Sequence, residues 1–314
     1  MIAYFFAFIA LGMASAALGP TLPGLAEQTR TQLSGISFLF ATRSLGYLAG
    51  SILAGRVLDR LPGHPLLIGL LMMMGLSLAF VPLIGQLWLL TFVMLVAGIT
   101  EAGVDVGTNT LMVWRFGEKV GPYMNSLHFF FGLGAFLSPI IIAQTMLATD
   151  GGIRLGYWVL ALMVLPAVLL FLRFPSLPIR HRDTAVDNPQ ANTLLILLVA
   201  GFLFLYVGAE VSYGGWVYTY ATTLGLSSTT AAAYLTSFFW GALTLGRLLS
   251  IPIAAKLRPR TLLGGALGGA LLSMGVLLLG KAAPWRCGRA PLAWASPCRS
   301  SSPPPWPWPN TRCR

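Results

Sequence analysis

Glu101, Asp105 and Asn109 recur every four residues inside an otherwise apolar run, G-I-T-E-A-G-V-D-V-G-T-N-T-L-M-V-W over residues 98–114. On a helix of 3.6 residues per turn this spacing stacks them along one stripe. A carboxylate at mid-membrane costs at least ~2.5 kcal/mol on insertion scales, so the stripe must face a bundle interior or a wet cavity. There a carboxylate can exchange a proton, or hold Na+ with help from the Asn109 oxygen and backbone carbonyls. The amide can equally hydrogen-bond a sugar hydroxyl. Interhelical polar bonding, with Arg43 as an ion partner, is the structural alternative.

Other polar residues interrupt apolar runs. Arg43 could neutralise a carboxylate, bind an anionic solute or snorkel to the outer interface. Arg247 lies nearer the opposite end of its run and reads as structural. Glu210, in V-G-A-E-V-S-Y-G-G-W, sits among Gly208, Gly214 and Gly215, which suggests a locally irregular helix lining a cavity. Asn125 and His128 are one turn apart and share a face, with Gly132 and Ala135 offering a smooth surface for close packing. His128 reads first as a polar cavity or packing residue and second as a proton carrier. In G-R-V-L-D-R, Gly55 permits close approach of a neighbour. Asp59 between Arg56 and Arg60 can form a gating charge network, whereas simple anchoring accounts for the arginines alone. Trp216, Tyr218 and Tyr220 read as interface anchors, while Trp240 and Tyr47 lie deeper, where they could stack a sugar or pack a core.

The elements that must position these residues are membrane helices. Of 314 residues 56% are apolar and only 9% charged, against about 25% charge in a soluble domain, and the mean hydropathy is +0.77. The chain is therefore expected to be an all-α polytopic membrane protein. Apolar segments at 1–26, 36–58, 65–84, 87–114, 125–147 and 156–174 form a six-helix N-terminal bundle over 1–175, its first segment broken late by Gly19-Pro20 and Pro23. Residues 176–192, with Arg180, His181, Arg182, Asp183 and Asp187, read as a cytoplasmic linker. Segments at 193–217, 230–254 and 262–279 give three more helices, a partial C-terminal bundle over 193–282, for about nine spans. A signal peptide is the competing reading of the first segment, but no basic residues precede it.

Arg56, Arg60, Arg115, Lys119, Arg173, Arg180, Arg182, Lys256, Arg258 and Arg260 fall on one side of these spans, and only Arg30 and Arg154 on the other. The N-terminus is therefore expected in the cytoplasm. An internal repeat, with S-L-G-Y-L-A-G-S-I-L-A-G-R-V-L-D-R-L laid over G-A-L-T-L-G-R-L-L-S-I-P-I-A-A-K-L-R so that Gly50 meets Gly246 and Leu61 meets Leu257, suggests two related halves. From 283 to 314 the sequence turns dense in proline, tryptophan and arginine, has no acid, and holds all three cysteines, Cys287, Cys298 and Cys313. It reads as out-of-frame translation, with a disordered basic tail as the alternative. No disulfide framework, metal cluster or cofactor is indicated. The net charge of +11 is spread over short loops and this tail without an aromatic-interleaved basic face, so no nucleic-acid partner is expected. No nucleophile–base pair or phosphate loop points to an enzyme.

The six helices followed by a linker, the G-R-V-L-D-R turn and N-S-L-H-F-F-F-G-L-G-A from Asn125 together resemble the major facilitator superfamily, and within it the fucose permease-like group of sugar symporters. The resemblance covers 1–282 and implies a two-bundle carrier working by alternating access, with a central sugar cavity and coupling to H+ or Na+. In that group an acid of the fourth span lies four residues before an asparagine, matched here by Asp105 and Asn109; the cytoplasmic turn falls on Gly55, Asp59 and Arg60. Fucose–proton symporters carry an acid in the first span, where this chain offers Ser15, Thr21 and glycines. The resulting expectation is a monomeric sugar symporter in a cell membrane, a bacterial inner membrane in particular. The alternative is an inactive transporter fragment or a non-transporting membrane scaffold.

Overall fold

The structure is a computed structural model that describes residues 1–176, 193–254 and 259–282. The linker charges Arg180 to Asp187, the basic residues Lys256 and Arg258, and the whole of 283–314 lie outside the described residues. Among those described, every regular element is helical: α1 (Ile2–Gln28), α2 (Leu33–Ile36), α3 (Phe38–Leu58), α4 (Gly63–Phe80), α5 (Leu87–Phe116), α6 (Gly121–Ala148), α7 (Arg154–Leu162), α8 (Leu165–Arg173), α9 (Thr193–Thr223), α10 (Thr229–Ala254) and α11 (Pro259–Ala282). Seven stretches are long and apolar enough to cross a bilayer: α1, α2–α3, α4, α5, α6, α7–α8 and α9, several carrying a short flanking turn. The two further spans expected from sequence are helical as α10 and α11 but fall outside that set. In α10 the apolar run is diluted by Thr229, Thr230, Thr236, Ser237, Thr244 and Arg247.

Met1–Pro252 forms one compact unit, and a second begins at Ile253 and contains α11. Within the first, two pairs of helices meet backbone to backbone. A Cβ added at Gly46 or Gly50 of α3 would run into the main chain of Leu95 or Ile99 on α5, and one added at Gly98 of α5 would strike the Arg43 carbonyl. In the same way Gly12 of α1 faces the main chain of Phe131 and Ala135 on α6, and Gly134 of α6 faces Ile9. Hydrocarbon gives helices no hydrophobic drive to associate, so close van der Waals approach between small residues supplies the attraction. Ser138 adds a hydrogen bond across the α1–α6 contact, its Oγ donating to the Met13 carbonyl at 2.8 Å.

Four sequence expectations need correction here. Pro20 and Pro23 do not break α1, which continues to Gln28. Pro20 and Pro23 withhold helical donors from the Ala16 and Gly19 carbonyls only, and neighbouring carbonyls gain side-chain donors: the Thr21 hydroxyl reaches Ala17 O at 2.8 Å and Leu18 O at 3.2 Å, and an Arg43 guanidinium nitrogen reaches Ser15 O at 3.2 Å. The sixth span is two helices, because Pro166 opens α8 and cannot continue α7. α9 is one regular helix through Gly208, Gly214 and Gly215; the last two serve close packing. Tyr218 is buried among Ala143, Ala221, Ala232 and Ala233 and is no interface anchor, in contrast to the exposed Trp216 and Tyr220.

Residues 193–209 of α9 are all exposed, and burial begins at Gly214. There Gly19 of α1 crosses α9 so closely that a Cβ would lie 2.9 Å from Gly215 O and 3.0 Å from Gly214 O. Trp240 of α10, 4% exposed, closes the same seam against Ala16 and Ala135, and its indole nitrogen has no hydrogen-bond partner. Gln144 of α6 hydrogen-bonds Tyr234 of α10. At the other end of the helices, the buried His64 ties the start of α4 to α1 and to the exit of α8. Its Nδ1 donates to the Phe174 carbonyl at 3.1 Å, which leaves Nε2 to accept from the Tyr4 hydroxyl at 2.8 Å.

The glycine contacts predict a contrast. Gly50→Val should destabilise the detergent-solubilised protein by about 1–3 kcal/mol or block its folding, whereas Gly55→Ala, where a Cβ meets nothing within 4 Å, should change stability by no more than about 1 kcal/mol. Thermal unfolding followed by size-exclusion recovery compares the two.

Candidate functional site

Because α3 and α5 run parallel at backbone contact, residues one turn apart on one helix face residues one turn apart on the other. Arg43 lies opposite Glu101, and Tyr47 opposite Asp105. The Arg43 Nε sits 3.1 Å from each Glu101 carboxylate oxygen, and its Nη2 forms the ion pair with Oε2. Glu101 is 2% exposed. A side-on guanidinium satisfies both oxygens at once, the geometry a dry carboxylate needs. A third Arg43 nitrogen bonds Ser15 O on α1, so one side chain joins three spans. Of the roles open to Arg43, neutralising a carboxylate is the one the geometry shows.

Next to this pair lies a cavity of about 20 Å³, lined among others by Ser77, Tyr157, Arg43 and Glu101. That is room for a water and not for a sugar ring. Tyr157 shares a 2.8 Å hydrogen bond with the Thr21 hydroxyl, so the polar groups here are mostly engaged with one another.

One turn on, the chemistry differs. The Tyr47 hydroxyl donates to Asp105 Oδ2 at 2.5 Å, and Asn109 Nδ2 donates to Asp105 Oδ1 at 2.8 Å and to the Asp105 carbonyl at 3.0 Å. Both side-chain partners are neutral. Asp105 and Asn109 are partly exposed, and His128 on α6 lies within electrostatic reach of Asp105 and of Arg247 on α10. His128 packs edge-on to Phe8 with ring centres 5.9 Å apart. On α9, Tyr206 lies within electrostatic reach of Glu210 and of Arg247. Asp105, His128, Arg247, Tyr206 and Glu210 thus lie each within electrostatic reach of the next, from α5 through α6 and α10 to α9.

The remaining expected site residues are elsewhere. Asn125, one turn before His128, is exposed. Gly55, Arg56, Asp59 and Arg60 are all exposed. Close approach does not explain Gly55, which faces open space; the tight crossing is made by Gly46 and Gly50, further inside the membrane. No ion pair joins Asp59 to its flanking arginines among the described residues, since exposed side chains gain little by pairing. Sequence reasoning missed Tyr47 as the partner of Asp105. The signal was present: Arg43 and Tyr47 have the same four-residue spacing as Glu101 and Asp105, and Gly46-x-x-x-Gly50 marks the face between them.

Arg43→Gln should leave Glu101 buried without a partner and cost about 3–5 kcal/mol, and adding Glu101→Gln should recover most of that loss. A double-mutant cycle on thermal unfolding midpoints measures both.

Residues 2–296 match the family described as Major Facilitator Superfamily. The chain is 35% identical over 297 residues to "Sodium-dependent glucose transporter 1" of Xenopus laevis, covering 85% of this chain and 60% of that protein. It is 33% identical over 311 residues to the Homo sapiens protein of the same name, covering 87% and 60%. The chain thus spans about three-fifths of the length of these relatives. The crystal structure of a D-xylose-proton symporter superposes with a TM-score of 0.59 at 16% identity, over 82% of this chain and 68% of that one. That of the nucleoside transporter NupG (D323A mutant) does so with 0.56 at 15%, over 80% and 66%; both likenesses are of fold.

Proposed function

The chain belongs to the major facilitator superfamily, a family of transporters and not of enzymes, and on that premise we propose that it carries a sugar across the membrane by alternating access, coupled to a cation, H+ or Na+, at Asp105. One observation carries this reading. Of two carboxylates a turn apart, Glu101 is neutralised by Arg43, while Asp105 has only a hydroxyl and an amide as hydrogen-bond partners. Glu101 is thereby a structural charge. Asp105 has no ion-pair partner among the described residues and lies beside a partly exposed face, where a transported cation can supply counter-charge.

The sugar follows from the kinship with sodium-dependent glucose transporters. The seam at Gly19, Gly214 and Trp240 supports the transport cycle: α9 is packed at one end and exposed along residues 193–209 at the other. With the N-terminus in the cytoplasm, as the arginine bias favours, this is a carrier closed toward the outside. We assign it to a cell membrane, a bacterial inner membrane in particular, as a monomer without a nucleic-acid partner. His128, Arg247 and Glu210 link the coupling acid to the second group of helices, and Asn109 and Asn125 are the amides available to sugar hydroxyls.

In proteoliposomes containing the 314-residue chain, a Na+ or proton gradient should drive uptake of labelled glucose or fucose. Asp105→Asn should lower gradient-driven uptake at least about tenfold with membrane insertion unchanged; full coupled uptake by that variant would remove Asp105 from the mechanism.

A further inference from the structure

Where α6 ends and α10 begins lies a cleft of about 250 Å³. It has more than ten times the volume of the cavity beside Arg43, enough for a small ring or a branched alkyl group and not only for water. Ala143, Met146 and Leu147 give it an apolar side, and Asp150, Thr229 and Thr230 a polar one. None of these three polar side chains makes a hydrogen bond or ion pair among the described residues. The backbone also sets Asp150 apart. It stands in the left-handed region with φ of 49°, directly before Gly151 with φ of 94°, in the turn that closes α6 as the Gly151 N–H donates to the Met146 carbonyl at 2.8 Å. Glycine fits such a position at less cost than aspartate. A partnerless carboxylate kept there against that cost points to a role outside the fold's own bonding.

The surroundings select the ligand. Asp150 disfavours anions, and it stands at the negative pole of a 28-residue helix. The opposite pole of α10 is already capped, the Ala231 N–H donating to the Ser228 hydroxyl at 3.3 Å. No group of three or more histidine, cysteine, aspartate or glutamate side chains stands together among the described residues, so a metal ion would keep its water and gain nothing from an apolar wall. A neutral polyol would leave both the carboxylate and the methionine side unmatched. An organic ammonium matches the two together: its charge meets Asp150 and the threonine oxygens, and its hydrocarbon covers Ala143, Met146 and Leu147. We propose that this cleft binds a small organic ammonium ion with an apolar body. Because its walls belong to different groups of helices, the bound ion also clamps the end of α6 to the start of α10. With the N-terminus in the cytoplasm, that is the outward-closed carrier; this consequence rests on the transport reading, and the site itself does not.

The test is equilibrium dialysis of labelled benzyltrimethylammonium, whose charge is independent of pH, against the purified 314-residue chain in a maltoside detergent at constant ionic strength. Wild type should bind it saturably, and benzyl alcohol, which has the ring without the charge, should displace it poorly. Asp150→Asn should weaken binding about tenfold or more. Asp150→Gly should do the same while unfolding at no lower temperature than wild type, since glycine suits the left-handed backbone; this separates loss of the site from loss of the fold. Equal affinity in wild type and Asp150→Asn overturns the site, as does a monodisperse wild type without saturable binding. In proteoliposomes, the ion added outside should lower sugar uptake by wild type and leave that of Asp150→Gly unchanged. Uptake that ignores a bound ion overturns the clamp and keeps the site. Asp150-dependent binding by a chain that takes up no sugar keeps the site and removes the transport reading.

Discussion

The polar chemistry of this protein depends on how closely α3 and α5 approach. Gly46, Gly50 and Gly98 leave no side-chain volume between the two backbones, and only at that separation can a side-on Arg43 reach both oxygens of Glu101. The dependence is mutual. Glycine contacts bring the helices together through dispersion, which is weak per atom pair, and the buried ion pair fixes their register, since sliding by one residue would strand a charge in a dry interior. Tyr47 and Asp105 then meet because they stand one turn further along two helices already aligned.

Much of this could be read in the sequence. The four-residue spacing of Glu101, Asp105 and Asn109 placed them on one stripe, and the cost of charge in hydrocarbon turned that stripe inward; both hold in the structure. Membrane helices were legible because twenty-residue apolar runs have few other uses. What periodicity could not supply was the pairing. Which helix faces the stripe is a question of tertiary contact, so Arg43 remained one candidate among several roles and Tyr47 was read as a possible stacking residue. The prolines of α1 misled for a related reason: proline removes backbone bonds locally, while the packing that α1 makes as a continuous helix, against α6 at Gly12 and α9 at Gly19, comes from elsewhere in the fold.

Glycine had three meanings here, and sequence alone did not separate them. At Gly46, Gly50, Gly98, Gly12 and Gly134 it admits a neighbouring backbone. At Gly117, with φ of 53° and ψ of −128°, it ends α5 in a backbone conformation that other residues rarely adopt. At Gly55 and Gly208 nothing crowds the position. The G-R-V-L-D-R turn draws attention by its charges, but the glycines that organise the α3–α5 contact, Gly50 and Gly46, lie before it, where the sequence looks plain.

The indole nitrogen of Trp240 has a consequence for the strength of the contact where α1, α9 and α10 meet. Its ring fits the space between Ala16, Ala135 and Gly214, yet its N–H finds no acceptor there. A dry, unmet donor of this kind costs about 1–3 kcal/mol for as long as it stays dry. The contact is complete in shape and incomplete in chemistry, which makes it locally frustrated. The seam is therefore held by surface fit, at a cost set by one unmet donor.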